Sequence, residues 1–204
     1  MSKNPIVMVV DDDSGVRNAM RALLKSVGLT SMLYGSAQEF LGAYDQDQPG
    51  CLLLDIRMPG MSGMDLQQEL NLRGAVVPVI FMSGHADIPM AVEAMQHGAF
   101  DFLQKPFRDQ ELLDRIQRAI AKDGERRLAL GERSRIKSYL ESLTDREREV
   151  LELLTQGKQN KQIAQDLGVS PRTIEIHRAR VMEKMNAQSV AELVRMMLDL
   201  RQPA

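Results

Sequence analysis

Residues 6–13 read IVMVVDDD, five apolar residues running without a break into three aspartates. A short apolar run ended by polar residues is the pattern of a strand buried on both faces. Its end at Asp11, Asp12 and Asp13 puts three carboxylates at the strand's carboxyl end. Similar runs recur at TSMLY (30–34), CLLLD (51–55), VPVIFM (77–82) and AFDFL (99–103). Between them the period changes. Val16, Met20, Leu23, Leu24 and Val27 fall on one face of a helix that ends at Gly28. Ser36 and Glu39 form a capping box that opens a second helix, and further helices fit 63–73, 87–97 and 108–121. Strands alternating with helices over the first 120 residues predict a (βα)5 doubly wound parallel sheet.

The rest of the chain is organised differently. From Lys122 to Ser142 it is rich in Arg, Glu, Lys and Ala and reads as an exposed helical connector. Its 21 residues would span about 30 Å at ~1.5 Å per residue. Gly124 and Gly131 each cost a helix about 1 kcal/mol relative to Ala, so the sequence leaves two alternatives, one continuous rigid helix or a helix broken at a glycine. Beyond Leu143 no strand pattern returns. Thr144 and Glu147 form a capping box for a helix reaching Gly157, and a short helix covers 160–167. After the turn Gly168-Val169-Ser170, Ser170 as N-cap and Pro171 at the first helical position open a helix to about Met185. A last helix spans 189–200. The expected architecture is therefore α/β followed by all-α, with domains at 1–121 and 143–204 and a linker at 122–142.

Composition narrows the function. With 44% hydrophobic and 26% charged residues in 204, the chain has room for two globular cores. No apolar run approaches the roughly 18 residues of a membrane span. No signal-peptide pattern opens the chain, and the single Cys51 excludes a disulfide framework. A cytoplasmic protein that does not engage a membrane is expected. The net charge of −2 is unevenly spread: residues 1–121 sum to −5 and residues 122–204 to +3. The back half is the part suited to a polyanion.

In a doubly wound sheet, ligands bind beyond the carboxyl ends of the strands. Here those ends supply Asp11, Asp12 and Asp13, then Asp55, then Ser83, then Lys105-Pro106. Carboxylates crowded on one rim repel unless a cation neutralises them, and hard oxygens with open water positions suit Mg²⁺. A lysine and a hydroxyl on the same rim could hold the oxygens of a transferring phosphoryl group, with a carboxylate as nucleophile. Each residue alone has a plainer reading: an N-cap region, a solvated lysine, a loop hydroxyl, a core phenylalanine at Phe102. Their joint placement favours chemistry. Cys51 reads as a small core residue, and His85 and His97 lack any metal-ligand partner pattern.

In the second half, a short helix, a tight turn and a helix opened by Ser-Pro describe a helix-turn-helix. Ile174, Val181 and Met185 share the core face of the second helix. The other face carries Arg172, Glu175, Ile176, Ala179, Arg180 and Glu183, a strip suited to base edges and phosphates.

The rim constellation over residues 5–121 resembles the receiver domain of two-component response regulators. LTDREREVLELLTQGKQNKQIAQDLGVSPRTIEIHRARVMEKMN (143–186) resembles the LuxR-type helix-turn-helix of the FixJ/NarL group. The resemblance implies Asp55 as phosphoacceptor, with Mg²⁺ held by Asp11, Asp12, Asp55 and the Arg57 backbone carbonyl. It further implies Ser83 as switch hydroxyl followed by the small Gly84, Phe102 as switch aromatic, and Lys105 as phosphate-binding lysine before a cis proline. For DNA it implies Glu175, Ile176 and Ala179 toward bases. Arg172, Thr173, Arg178, Arg180 and Lys184 would face phosphates, with Asn160, Lys161 and Gln162 at the neighbouring helix start, and His177 lies partly buried near the backbone.

The implied partners are a sensor histidine kinase, promoter DNA, RNA polymerase and a second copy of the chain, with Val92, Met95 and Ile116 expected at the dimer face. The implied protein is a transcription regulator that hydrolyses its own aspartyl phosphate but turns over no external substrate. Two rivals share the acidic rim: an aspartyl-nucleophile phosphatase or phosphotransferase, and an adaptor that never touches DNA. Turnover of a small phosphoester would mark the first. Intact phosphorylation without salt-dependent DNA retention would mark the second.

Overall fold

A computed structural model describes residues 3–84 and 88–201. Backbone contacts divide the chain into two compact units, Met1–Arg127 and Leu128–Ala204. No helix among the described residues is long and apolar enough to cross a membrane.

The first unit holds β1 (Ile6–Val10), β2 (Thr30–Tyr34), β3 (Gly50–Asp55), β4 (Val79–Ser83) and β5 (Asp101–Gln104). All pairings are parallel, in the order β2-β1-β3-β4-β5. Between the strands run α1 (Ser14–Ser26), α2 (Ala37–Ala43), α3 (Gly63–Leu72) and α4 (Ile88–Gln96), and α5 (Asp109–Glu141) follows β5. Alternate residues of the central strands feed two cores. Met8, Val10, Leu52, Leu54 and Phe81 pack with α2 and α3 residues such as Phe40 and Leu66, while Val7, Val9, Leu53, Ile80 and Met82 pack with Leu24 of α1 and Ile116 of α5. That double burial is why the strands read as unbroken apolar runs.

Two strands are displaced from their expected positions. β4 starts at Val79 and reaches Ser83. Pro78 has no N–H for the ladder, although its carbonyl still accepts from Leu52. β5 starts at Asp101 because Ala99 N still bonds to Ala94 O in the turn closing α4. In α1, Asp13 is the N-cap and accepts from the amides of Gly15 and Val16. Val27, expected on the apolar face, is the half-exposed C-cap. At α2 the expected capping box is half formed: Ser36 accepts from Glu39 N, but the Glu39 carboxylate takes the amide of Gly35 instead of Ser36. A full box, Ser62 with Asp65, opens α3.

Of the two alternatives for the connector, α5 takes the continuous one, running through Gly124 and Gly131 without a break. Asp123 and Arg127 form an i,i+4 ion pair at 2.7 Å. Asp123 also accepts from Gly50 N, and Arg127 donates to the carbonyls of Gln46 and Gln48. These bonds tie residues 123–127 to the first unit. Ile136, further along the same helix, is buried in the core of the second unit. Packing at both positions offsets the two glycines' cost.

The second unit adds α6 (Asp145–Thr155), α7 (Asn160–Asp166), α8 (Pro171–Lys184) and α9 (Val190–Arg201). Val150, Leu151 and Leu154 of α6, Ile163 of α7, Ile174 and Val181 of α8, Met185 just beyond it, and Leu193 of α9 build its core. The Thr144–Glu147 capping box is complete at the start of α6, and Ser170 with Pro171 opens α8.

Candidate functional site

Register brings the acidic residues together. Val10 pairs with Leu54, so Asp11 and Asp55 leave the sheet side by side. Asp11 is 1% exposed and Asp55 8%. Lys105 follows the end of β5, and its amide donates to Ser83 O at 2.7 Å. Its Nζ donates to Asp11 Oδ2 at 2.7 Å and to Asp55 Oδ1 at 2.8 Å. The other oxygens are held by backbone: Asp11 Oδ1 accepts from Asp13 N, and Asp55 Oδ2 from Arg57 N at 2.8 Å. The Lys105–Pro106 bond is cis.

Two buried carboxylates share one ammonium. Burial pushes the Asp55 carboxyl above the ordinary aspartate range. The Lys105 hydrogen bond and charge and the Arg57 amide draw it back only in part, and the Asp11 charge adds to the rise. Burial alone would lower Lys105, but hydrogen bonds to Asp11 and Asp55, with their charges, hold it above its ordinary value. The pocket therefore favours an added cation of hard-oxygen preference. Among the described residues no three His, Cys, Asp or Glu side chains form a metal cluster by themselves. A Mg²⁺ ion fits if Asp11 and Asp55 are joined by Asp12, exposed at the rim, the Arg57 carbonyl and water.

The other expected residues surround this trio. Ser83 is 2% exposed at the end of β4, with the exposed Gly84 after it. Phe102 is half-buried on β5 against the first core. Asp13, the third acid of the opening run, caps α1 instead of lining the pocket. Two contributors were not recognised in the sequence. Arg17 donates from Nη1 to the Asp11 carbonyl at 2.6 Å. Gly63 starts α3 so close to β3 that a Cβ there would stand 2.2 Å from Asp55 O. A glycine directly after the serine of the S-x-x-D cap, Ser62 to Asp65, was the available signal for the second.

Outside the pocket, Cys51 is fully buried, and burial pushes its thiol up to about 12, consistent with a core role. His97 is exposed, with its carbonyl taken by Asn71; His85 lies outside the described residues. Val92 and Met95 are about half exposed on α4, but Ile116 is fully buried, so it belongs to the core and not to a dimer face.

In the second unit, α8 separates its faces as its sequence predicts. Ile174 and Val181 are fully buried, while Arg172, Glu175, Ile176, Ala179 and Arg180 are exposed, Ile176 by 47%. Lys161 is exposed on α7, beside half-buried Asn160, which accepts from Arg178 at 3.2 Å. Thr173 is half-buried in the first turn of α8, its amide bonded to Ser170 Oγ. Arg172 pairs with Glu175 on the surface. His177 is half-buried, with Nδ1 buried and unpartnered. Lys184 is engaged within the unit. Its ammonium bonds the 2%-exposed Glu147 at 2.7 Å and the Ser142 carbonyl at 3.0 Å, so it clamps the end of α8 to the start of α6, with its side chain 34% exposed.

Comparison with known proteins follows the same division. Residues 7–117 match the family described as response regulator receiver domain, and residues 141–197 the family described as bacterial regulatory proteins, luxR family. The chain is 47% identical over 195 residues to nodulation protein W of Bradyrhizobium diazoefficiens, covering 96% of this chain and 86% of that one. It is 48% identical over 192 residues to the transcriptional regulatory protein FixJ of Azorhizobium caulinodans, covering 94% and 91%. Among solved structures, the response regulator StyR superposes with a TM-score of 0.88 at 44% identity, covering 95% of this chain and 98% of that one. Full-length FixJ from B. japonicum gives 0.59 at 39% identity, covering 97% and 98%.

Proposed function

This chain belongs to the FixJ-like two-component response regulators, transcription regulators that join a receiver domain to a LuxR-type DNA-binding domain and are not turnover enzymes. From that premise we propose that a sensor histidine kinase phosphorylates Asp55 and so controls the binding of residues 143–204 to promoter DNA. Residues 1–121 then act as receiver and 122–142 as connector. The observation that carries this reading is the sharing of Lys105 between Asp11 and Asp55 at the carboxyl end of the sheet.

A carboxylate oxygen of Asp55 attacks the phosphorus of the kinase's phosphohistidine. The P–N bond breaks, a P–O bond forms, and the imidazole leaves with the electron pair. Asp11, Asp12, Asp55 and the Arg57 carbonyl are the groups that would hold Mg²⁺, which neutralises charge on the transferring phosphoryl group. Lys105 exchanges a carboxylate contact for a phosphoryl oxygen, and Ser83 supplies a hydroxyl to another. Movement of the Ser83 segment makes room for Phe102 to turn inward. The population then shifts toward a state whose α4 surface, with Val92 and Met95 exposed, pairs with a second copy. Two copies place two α8 helices on paired half-sites, from which the protein contacts RNA polymerase in the cytoplasm.

Light scattering with Mg²⁺ and a small-molecule phosphodonor, on wild type beside Asp55→Asn, tests this. A shift from monomer to dimer in wild type alone is expected. Equal phosphodonor-dependent DNA binding by both proteins would sink the proposal.

A further inference from the structure

The three acids that open the rim are held to different degrees. Asp11 is fixed on every side: its amide donates to Tyr34 O at 3.2 Å, Oδ1 accepts from Asp13 N and Oδ2 from Lys105 Nζ. Asp13 is fixed as the cap of α1. Asp12 is exposed, and among the described residues no hydrogen bond reaches its carboxylate. The direction in which the Asp12 side chain leaves the chain is therefore set by the backbone alone.

That backbone has a support of its own. Arg17, at the end of the first turn of α1, donates from Nη1 to the Asp11 carbonyl at 2.6 Å. The peptide joining Asp11 to Asp12 is planar and trans, so fixing its carbonyl also fixes the N–H and Cα of Asp12. The guanidinium bonds this carbonyl although three carboxylates lie within six residues of it, which leaves their oxygens to other partners. Arg17 is half-buried against the turn after β2, where a Cβ on Gly35 would stand 3.6 Å from Nη1. Glu39 holds that turn by accepting Gly35 N at 2.6 Å, the bond it makes instead of completing the α2 capping box.

We propose that Arg17 is a positioning residue for the cation: by fixing the peptide between Asp11 and Asp12 it presents the Asp12 carboxylate to the pocket. It acts through Asp12 and is not itself a ligand. This role rests on the reading of Asp11, Asp12, Asp55 and the Arg57 carbonyl as the groups that hold Mg²⁺. Charge alone gives the opposite sign. A guanidinium near the site repels Mg²⁺, so removing it would tighten the cation, whereas loss of positioning weakens it.

Melting of the full chain over a Mg²⁺ series gives the Mg²⁺ Kd for wild type, Arg17→Met, Arg17→Lys and Arg127→Met. Arg17→Met keeps most of the stem and removes every donor. Arg127→Met is the control, because Arg127 bonds the carbonyls of Gln46 and Gln48 ahead of β3, away from the pocket. Arg17→Met is expected to weaken Mg²⁺ about tenfold, and Arg17→Lys, which keeps the charge and a single donor group, to weaken it less. Arg127→Met should lower the metal-free melting temperature and keep the wild-type Kd. Arg17→Met with wild-type or tighter Mg²⁺ affinity overturns the proposal, even if the variant melts lower without metal. If Arg17→Met fails to melt cooperatively, Arg17→Lys decides, and an unchanged Kd there overturns the proposal. A wild type whose melting ignores Mg²⁺ removes the ligand reading itself, and the positioning role with it.

Discussion

A Cβ placed on Gly63 would stand 2.2 Å from the carbonyl oxygen of Asp55, and the Gly63 amide donates to Ile56 O at 2.9 Å. The start of α3 is therefore seated directly against the backbone that carries the pocket's central carboxylate. Both neighbours are main chain and cannot rotate away. Gly63→Ala is expected to push α3 from β3, at a cost of about 1–3 kcal/mol in receiver stability, and to move Asp55 relative to Lys105. Denaturant unfolding and the rate of phosphorylation by a small phosphodonor should both fall. A variant with wild-type stability would show that α3 yields at little cost.

The acidic pocket should respond to metal and charge in opposite directions. Burial holds the Asp55 carboxyl above its ordinary pKa, so the folded state disfavours its ionised form. Its contribution to stability is greatest below the ordinary value of 3.8 and is lost as pH rises through the folded value. In chelator at neutral pH, Asp55→Asn is expected to raise the melting temperature of the receiver unit. Mg²⁺ should stabilise wild type, by about 2.7 kcal/mol at a hundredfold excess over Kd, and Asp55→Asn much less. A lower melting temperature for Asp55→Asn in chelator would mean that the Lys105 pairing outweighs the burial cost.

Glu147 is the counterpart in the second unit, with the opposite sign. The hydrogen bond from Lys184, then the amide of Thr144, lower its carboxyl from 4.5 to about 2. Stability from this group is complete above pH 4.5 and is lost as pH falls toward 2. Glu147→Gln is expected to destabilise the DNA-binding unit by about 1–2 kcal/mol at neutral pH, discounted for solvent screening, and to flatten its acid-melting profile. Scanning calorimetry across that pH range checks both.

The sequence revealed elements whose signals are local and missed those set by tertiary contact. Five apolar runs, the Ser170-Pro171 start and the Thr144–Glu147 box sufficed for a doubly wound parallel sheet of five strands and for every second-unit helix, while the order of the strands came only with the structure. The continuity of α5 was hidden because Gly124 and Gly131 argue locally against it, while Asp123 with Gly50 and Ile136 in its core argue for it only once the chain is folded. Pocket membership was legible at Asp11, Asp55 and Lys105, since strand ends must converge. Asp13 looked equivalent to its neighbours until N-cap geometry set it apart, and Ile116 looked like surface until its helix face was seen against the sheet.

Lys184 and Lys161 provide the discriminating test of the DNA interface, because both are lysines in the helix-turn-helix but only one is engaged by a carboxylate. Lys161 is exposed on α7, and Lys184 is held by Glu147. Each phosphate contact releases condensed counterions and steepens the dependence of log affinity on log salt by about 0.9. Lys161→Ala is expected to weaken binding to all sequences alike and to reduce that slope by roughly one contact. Lys184→Ala should leave the slope unchanged and instead lower the melting temperature. Ile176→Ala should leave slope and stability intact but reduce the preference for the specific site, costing about 1–3 kcal/mol of discrimination. Fluorescence anisotropy over a salt series separates the three. A reduced slope for Lys184→Ala at unchanged stability would mean that its ammonium leaves Glu147 for the DNA backbone on binding.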